Sequence, residues 1–423
     1  MNVAPRAEVA YDHHRPVVEW DPDVTHAELR RQCPVAFTAA HGGYWVVTSH
    51  EHVSAVARDP AAFSSDHDLD GSRVGVEFAG VAIPAQSSYR SKPSEVDPPE
   101  HLDYRRLLQP SLAPATVPAW EARARAWTAA CIEPHLPTGR IDLVLDVANP
   151  VPAMVTLALV GLPAEDWRRF AEPLHTLVYT EPTSAARASL MVTIGELRQA
   201  LADLVAARRA EPRDDLASAV IAAEVGGAPL GDAEAVKVVD GAPMGDADAV
   251  NVLFTVVSGG VDTTTALVAN ALVWLQGHPD VRQRLIDEPS ARTGAREEFL
   301  RVFSPAPATA RTATGPAGVG GQSVRRGERV LLSWTSANRD PAVFVDPDRV
   351  DIDRPNNRHV AFGAGPHRCI GAPLARGTFD AILGVVLDLI PDYELDTARA
   401  ARYERVGAVN GWVSMPATFR PRP

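Results

Sequence analysis

The sequence predicts a mainly α-helical protein with a small β-rich lobe. From Ala119 to Ala210 apolar residues recur with a helical period, and strand signals are scarce. A second long apolar stretch, Asp246 to Leu275, predicts a long central helix. In contrast, Gly43–Thr48 and Arg329–Trp334 are rich in β-branched or aromatic residues, which is typical of strands.

Composition narrows the class of protein further. The chain has 423 residues, 46% of them hydrophobic, and a net charge of −12, which argues against a nucleic-acid partner. Three scattered cysteines are too few for a disulfide framework, so we expect a reducing cytoplasm. No apolar leader or anchor opens the sequence, and polar residues interrupt the 250–275 stretch, which favours a buried helix over a membrane span.

Capping residues and apolar periodicity predict the remaining organisation. Further helices are expected at Asp23–Cys33, His50–Arg58, Leu102–Leu112, Trp120–Leu136, Val144–Val160, Ala164–Leu177, Ser189–Arg209 and Leu374–Ile390. Residues 1–20 are polar and expected to be loosely held. Residues 65–96 form a long loop without periodicity, and such loops are usually functional or disordered. A tandem near-repeat at 227–250 is interpreted as a small duplication in a surface connection.

One stretch near the C-terminus carries the strongest chemical signal. Residues 362–376 read FGAGPHRCIGAPLAR, so a glycine-rich loop leads into Cys369, and Pro373 opens the next helix. A helix N-terminus favours the thiolate over the thiol. The glycines leave room for a large, flat group beside the sulfur. A thiolate held by backbone donors is what a soft metal such as haem iron requires.

Three other interpretations of Cys369 remain open at this point. It could be a nucleophile with His367 two residues away, although that role needs no glycine-rich packing. Zinc binding lacks a second nearby cysteine. A structural cysteine is common for an isolated residue, but it leaves the surrounding pattern unexplained.

The FGxGxHxCxG pattern resembles the cytochrome P-450 superfamily, the haem-thiolate monooxygenases, in their soluble bacterial form. The resemblance covers nearly the whole chain and implies one catalytic domain, 1–423. It implies a haem b between the long central helix and the cysteine loop, with Cys369 as the iron ligand. Phe362, His367 and Gly371 belong to the same cofactor site by this resemblance.

A second motif, DPPEHxxxR, matches the family at residues 97–105. His101 and Arg105 lie four residues apart, so they share one face of a helix. On a surface helix the pair would be ordinary. The resemblance implies that both hold a haem propionate, and that Arg311 and His367 do so as well.

The middle of the central helix contains paired glycines followed by an acid and an alcohol. Gly259 and Gly260 each cost about 1 kcal/mol relative to alanine, so we expect close approach to the backbone there. The Thr263 hydroxyl can reach the Gly259 carbonyl and open a groove. The alternative is a kinked helix with a capped polar cluster. The resemblance implies that Asp262 and Thr263 deliver protons during oxygen activation.

Other residues are assigned to architecture or to the substrate. By resemblance, Glu298 and Arg301 form the ExxR pair that locks to a third arginine, here Arg349. The low-periodicity loop and the C-terminal hairpin cover the pocket in this family. Residues expected near the substrate are Val81, Ile83, Tyr89, Gly259 and Asn410. For the loop residues, packing against the β lobe is an equal alternative, as core packing is for Trp412.

The reaction implied is the activation of O2 and oxidation, most often hydroxylation, of a small organic substrate. With no fused redox domain in the sequence, we expect a cytoplasmic monomer that takes electrons from a separate ferredoxin and its reductase. Arginines near the cysteine loop could bind that acidic partner, or could serve haem and solvation: Arg105, Arg106, Arg368 and Arg376. Secondary metabolism is the expected setting, by association with soluble members from GC-rich organisms.

Three different outcomes stay open. The same chemistry could couple or cyclise a substrate without inserting oxygen. A non-catalytic haem sensor or recruitment protein would not need Cys369, Asp262 and Thr263, all of which are present. Peroxide-driven oxidation would be expected to lack the acid–alcohol pair.

Overall fold

A computed structural model describes residues 6–19, 21–68, 78–85, 89–180, 184–223 and 244–422. Its helices are α1 Pro22–Gln32, α2 His50–Arg58, α3 Glu100–Leu108, α4 Val117–Ile132, α5 Pro150–Val160, α6 Trp167–Tyr179, α7 Ala185–Ala210, α8 Leu216–Ala222, α9 Asp246–Gln276, α10 Pro279–Asp287, α11 Arg292–Phe303, α12 Trp334–Ala337 and α13 Ala372–Leu389. Its strands are β1 Val35–Thr38, β2 Tyr44–Val47, β3 Phe63–Ser64, β4 Arg140–Asp142, β5 Ala308–Ala313, β6 Ala317–Val319, β7 Gln322–Val324, β8 Arg329–Ser333, β9 Glu394–Leu395, β10 Ala401–Arg402, β11 Trp412–Ser414 and β12 Pro416–Thr418. The mainly α-helical class with a small β lobe is confirmed.

The central helix α9 joins the two largest hydrophobic clusters. Its C-terminal half, including Leu272 and Leu275, packs with α4, α11 and α13. Its N-terminal half, including Val257 and Val261, packs with α3, α7 and α8. Because α9 is apolar on most of its circumference, it can be buried on both sides along its length. The predicted start at Asp246 and the predicted length are confirmed.

Among the described residues, two helical stretches are long and apolar enough to cross a membrane: Leu143–Val160 and Asp246–Gln276. In an apolar 18-residue window of each stretch, 78% and 67% of the residues are buried, as expected of interior helices. The first is not the single α-helix predicted from 144 to 160. A wider π-helical turn covers 143–148, and α5 begins at Pro150, whose ring cannot continue a regular helix from the preceding turn.

The β lobe is a five-stranded sheet with the order β1-β2-β8-β5-β3. Strand β2 runs parallel to β8, with Val46 opposite Leu331, and β5 pairs with β8 in the antiparallel sense. This pairing places Arg311 of β5 beside Val330 of β8. Strands β6 and β7 form a separate antiparallel hairpin next to this sheet in the chain.

The N-terminal segment corrects one expectation. Residues 6–19, the described part of the 1–20 segment, are attached to the lobe. Val9 donates to the Phe37 carbonyl at 2.8 Å, and Tyr11 and His13 are buried. Most of the tandem near-repeat at 227–250 lies outside the described residues, and its last five residues are the first turn of α9.

The C-terminal strands belong to two different sheets. Strand β11 pairs with β10 as a hairpin, whereas β12 pairs with β4 and β9. The predicted hairpin between 406 and 419 is therefore shifted towards the N-terminus. The chain between β10 and β11 carries Asn410.

Candidate functional site

The cysteine loop depends on two glycines in the left-handed region. Gly363 has a φ of 74° and Gly365 a φ of 70°, where other residues are strained. A Cβ atom at Gly365 would also lie 2.3 Å from the Ala57 carbonyl oxygen, because the end of α2 packs onto the loop. The Cys369 N–H donates to the Phe362 carbonyl at 2.8 Å and closes the loop.

Cys369 lies three residues before Ala372, the first residue of α13, with Gly371 as the N-cap residue. Its side chain is exposed, yet the surrounding protein desolvates the sulfur enough to raise the pKa of the thiol. The Gly371 N–H and the Arg105 guanidinium oppose that shift. The Gly371 N–H at the start of α13 thus favours the thiolate, as expected, although desolvation has the larger effect on the pKa of the free thiol. A thiolate here needs a cation bound to the sulfur.

Three basic side chains from distant parts of the sequence lie close to this loop. The His101 and His367 rings are 4.1 Å apart between centroids, and Arg311 is buried beside them on β5. Burial lowers the pKa of His101 to about 4, that of His367 to about 2, and that of Arg311 to about 10. The three groups are therefore held in a poorly solvated place.

This basic cluster has unused hydrogen-bonding capacity. In the described part of the chain, neither His101 Nδ1 nor His367 Nε2 has a partner, although both atoms are buried. Arg311 donates from Nη1 to the Ala310 carbonyl at 2.7 Å. Buried polar atoms are rarely left unpaired in proteins. The cluster therefore fits an anionic group with several oxygen acceptors.

Arg105 has a contact that was not predicted, although its charge also acts on His101 and His367. It donates from Nη1 to the Arg368 carbonyl at 2.7 Å, next to Cys369. It thus ties α3 to the cysteine loop, and its positive charge acts on the sulfur.

The paired glycines of α9 have two separate effects. A Cβ atom at Gly260 would lie 2.6 Å from Thr156 Oγ1, so α5 approaches the backbone closely at this point. A Cβ atom at Gly259 would meet no atom within 4 Å. The Thr263 hydroxyl donates to the Gly259 carbonyl at 3.0 Å, as expected. The surface of α9 is therefore open at Gly259 and packed at Gly260.

The cysteine loop and this part of α9 contact the same core. Ile370 and Leu374 pack against the cluster that contains Val257 and Val261. The loop is thus fixed relative to the turn of α9 that carries Asp262.

Asp262 has a buried partner that the sequence did not reveal. His175 of α6 contacts an Asp262 carboxylate oxygen through Nδ1, and both side chains are about 4% exposed. The negative charge of Asp262 also acts on Tyr403, whose pKa is raised mainly by burial. A lone histidine in a helical stretch gives no signal of its partner, because the contact joins residues 87 positions apart.

Glu298 and Arg301 form the buried ExxR pair that was predicted. The third arginine of the cluster, however, is not the predicted one. Glu298 and Arg301 are fully buried and joined by hydrogen bonds of 2.7 and 2.8 Å. The third side chain is Arg354, whose Nε lies 3.1 Å from both Glu298 oxygens. Arg349 contributes its backbone carbonyl to Arg301 at 3.0 Å, and its side chain is exposed. Although burial opposes ionisation, these bonds lower the pKa of Glu298.

Glu297 beside this pair fastens the cysteine loop. Arg376 donates two hydrogen bonds to its carboxylate, at 2.8 and 2.7 Å, and stacks on the Phe362 ring. His359 lies 3.1 Å from the same carboxylate. Burial alone would raise the pKa of Glu297, but these bonds lower it overall. The Arg376 guanidinium is therefore already paired inside the protein, which argues against Arg376 as a contact for a redox partner.

The expected substrate residues separate into different environments. Ile83 lies in the lobe core with Tyr44 and Leu331, which is the packing alternative. Val81 is bonded to β5 through its carbonyl, which accepts from the Ala310 N–H at 2.7 Å. Tyr89 packs edge-on against Phe254 of α9, with ring centroids 5.0 Å apart.

Asn410 and Trp412 are bonded to the end of the helical core. The Asn410 side chain donates to the Phe303 carbonyl at 3.2 Å, and Trp412 donates to Asn270 of α9 at 3.0 Å. Both residues line a cavity of about 470 Å³, bounded also by α1 and the N-terminal segment. Trp412 additionally packs against the main core, as its alternative predicted.

The described residues fit a haem group. Cys369 provides a soft donor in a glycine-rich loop, α9 contacts the same core and is open at Gly259, and a buried basic cluster can bind carboxylates. The fold and site define a haem-thiolate enzyme.

Comparisons with known proteins agree with this class. A family model described as Cytochrome P450 matches residues 194–389. Cytochrome P450 130 of Mycobacterium tuberculosis is 31% identical over 84% of this chain and 84% of its own length. Nocardicin C N-oxygenase of Nocardia uniformis subsp. tsuyamanensis is 33% identical over 83% of each chain. The open structure of cytochrome P450 Eryk from S. erythraea has a TM-score of 0.80 and 29% identity, and covers 95% of this chain and 96% of that one.

The chain belongs to the cytochrome P450 family. It is an oxidoreductase whose cofactor is a haem b with a cysteine ligand to the iron, and its relatives are bacterial monooxygenases. Its reactants accordingly include an organic substrate, O2 and a redox partner.

Proposed function

We propose that this chain is a single-domain cytoplasmic monooxygenase that hydroxylates a small organic molecule of secondary metabolism. Cys369 is its iron ligand, and a separate ferredoxin with its reductase supplies the electrons. The observation that carries the site assignment is the buried, unpaired basic cluster beside the cysteine loop.

Each residue of the site has a distinct task in this proposal. When bound, a thiolate-ligated haem activates O2 for the oxidation of organic substrates. Cys369 would bind its iron, and Phe362 and Gly371 flank the sulfur. His101 and His367 would bind its propionates through the nitrogen atoms that the protein leaves unpaired, and the buried Arg311 guanidinium would add its charge. Arg105 would hold the cysteine loop against α3 and remains a proposed propionate partner beside the two histidines.

The polar residues of α9 would control protons. The Thr263 hydroxyl is directed to the Gly259 carbonyl, so its oxygen can accept a hydrogen bond from a molecule on the open side of α9. Asp262 is held in the next position by His175 and can donate or accept a proton there. Proton transfer by positioned side chains typically contributes about 100- to 10,000-fold in rate.

The substrate class is supported by the relatives and by the pocket walls. Nocardicin C N-oxygenase and a mycinamicin IV hydroxylase/epoxidase are among the relatives, and both act on elaborate natural products by their names. In this chain Val81, Tyr89, Gly259 and Asn410 remain the proposed pocket residues. Arg106 and Arg368 remain proposed contacts for ferredoxin, and the protein is proposed to act as a monomer.

The site assignment is tested by the carbon monoxide difference spectrum of the dithionite-reduced protein. The wild type should show the red-shifted Soret band of a thiolate-ligated haem, and Cys369→Ala should lose it. Cys33→Ala is the matched control, because that cysteine lies after α1 and should leave the band unchanged. A band that survives Cys369→Ala would refute the assignment.

Hydroxylation is tested separately on compounds that shift the Soret band when they bind. With a ferredoxin system and ¹⁸O2, the product should gain one labelled oxygen atom. A product that loses hydrogen and gains no oxygen would instead establish coupling or ring formation.

A further inference from the structure

His175 is the one histidine in the described part of the chain whose side chain contacts Asp262. The face of α6 directed at the core carries Phe170, Ala171, Leu174 and His175, and three of these four are apolar. A polar imidazole in this position needs a specific partner, because an unpaired buried polar group costs about 1–3 kcal/mol. That partner is the carboxylate of Asp262.

The pairing determines which nitrogen carries a proton. A carboxylate accepts hydrogen bonds only, so Nδ1 of His175 must be the donor. The other nitrogen, Nε2, is buried and has no hydrogen-bond partner among the described residues. An imidazole arranged in this way can accept a proton at Nε2 and release one from Nδ1 to the carboxylate.

A small cavity lies beside the C-terminal end of α6, and the residues that line it do not include His175. The cavity has a volume of about 70 Å³, and its walls include Leu177 to Thr180 and Arg187. This volume is enough for water molecules. Tyr179, on the wall of this cavity, packs against Tyr403 with tilted rings whose centroids are 4.8 Å apart. The negative charge of Asp262 contributes to raising the pKa of Tyr403. The titratable groups around the pair are therefore Tyr179, from α6 itself, and Tyr403, from the C-terminal segment.

We propose that His175 is a positioning and relay residue, which holds Asp262 through Nδ1 and passes to it protons that Nε2 accepts. This proposal deepens the proposed function and rests on it. The number of protons on His175 does not change, because Nε2 accepts one proton as Nδ1 releases another to Asp262. The Asp262 carboxylate then passes its proton to the open side of α9.

The test compares two substitutions that separate holding from relaying. His175→Asn retains an amide donor near the position of Nδ1 but cannot transfer a proton, and His175→Phe retains neither property. Glu172→Gln is the matched control, since Glu172 is exposed on the same helix. The measurement is NADPH consumption with a ferredoxin and its reductase, in H2O and in D2O, without added substrate.

We expect both variants to consume NADPH about 10- to 100-fold more slowly than the wild type, with a larger solvent isotope effect. Glu172→Gln should consume NADPH at the wild-type rate, and the carbon monoxide band should be the same in all variants as in the wild type. A wild-type rate in His175→Asn together with a slow His175→Phe would overturn the relay. Wild-type rates in both would overturn the whole proposal.

A spectroscopic measurement tests the pair without turnover. In the diamagnetic carbon monoxide form, the ¹H and ¹⁵N resonances of the His175 Nδ1–H should lie far downfield and should move in Asp262→Asn. If the chemical shifts of the His175 Nδ1–H were the same in Asp262→Asn as in the wild type, the pairing would be overturned. A missing carbon monoxide band in the wild type would refute the proposed function instead, so the two failures are distinguishable.

Discussion

At the scale of single residues, the buried ion network around Glu298 predicts that two nearby arginines contribute very differently to stability. Arg354→Ala should lower the free energy of unfolding by about 3 kcal/mol, because it removes one partner of a fully buried carboxylate. Arg349→Ala should change it by less than about 0.5 kcal/mol, since that side chain is exposed and only its backbone bonds Arg301. Chemical denaturation of the two haem-loaded variants checks this. Equal losses would contradict it.

The same network shows what a motif can and cannot predict. The spacing of Glu298 and Arg301 predicts a pair on one helix, and that pair is present. The third arginine comes from a loop without periodicity, so its register has no local signal. Arg349 and Arg354 both bond within the cluster, one through its carbonyl and one through its guanidinium.

At the scale of elements, the contact between α5 and α9 depends on one glycine of the pair. Gly260→Ala should destabilise the protein by about 1–2 kcal/mol, because its Cβ would overlap the short, stiff Thr156 side chain. Gly259→Ala should destabilise the protein less than Gly260→Ala, since its Cβ meets no protein atom within 4 Å and alanine is the better helix former.

Thermal unfolding of both haem-loaded variants measures this difference. Adding Thr156→Ala to Gly260→Ala should recover part of the loss, because it removes the overlapping atoms. Equal stability of the two glycine variants would show that the helices do not approach closely at Gly260.

Long helices were predictable from the sequence because their signals are local. The bounds of α2 and the start of α9 agree with capping residues and apolar periodicity. The two-residue and three-residue strands β9 to β12 carry too few residues for a periodic pattern. Their partners, such as Ala417 and Ile141, are far apart in the sequence, so only the tertiary fold pairs them.

At the scale of the whole molecule, the site is a meeting point of four separate regions. His101, Asp262, Arg311 and Cys369 lie on α3, α9, β5 and the loop before α13. Sequence motifs indicated each residue, because each motif is short and local. The His175–Asp262 contact and the contact of Arg105 with the cysteine loop could not be predicted, since both depend on how helices pack.

Buried neutral histidines in the β lobe predict how the whole fold responds to acid. Burial lowers the pKa of both His13 and His26 from 6.5 to about 3. In the unfolded chain these groups bind protons below about pH 6.5, whereas in the fold they stay neutral. Their contribution to stability is thus fully present above pH 6.5 and is lost as the pH falls towards 3.

Between pH 7 and pH 5, each of these histidines should cost on the order of 2 kcal/mol of unfolding free energy. His26→Gln cannot be protonated, so its stability should fall less steeply with pH than that of the wild type. His278→Gln, at an exposed position, should keep the wild-type slope. Denaturation curves at pH 7, 6 and 5 measure these slopes. A His26→Gln protein as acid-sensitive as the wild type would mean that His26 already takes up its proton in the folded state.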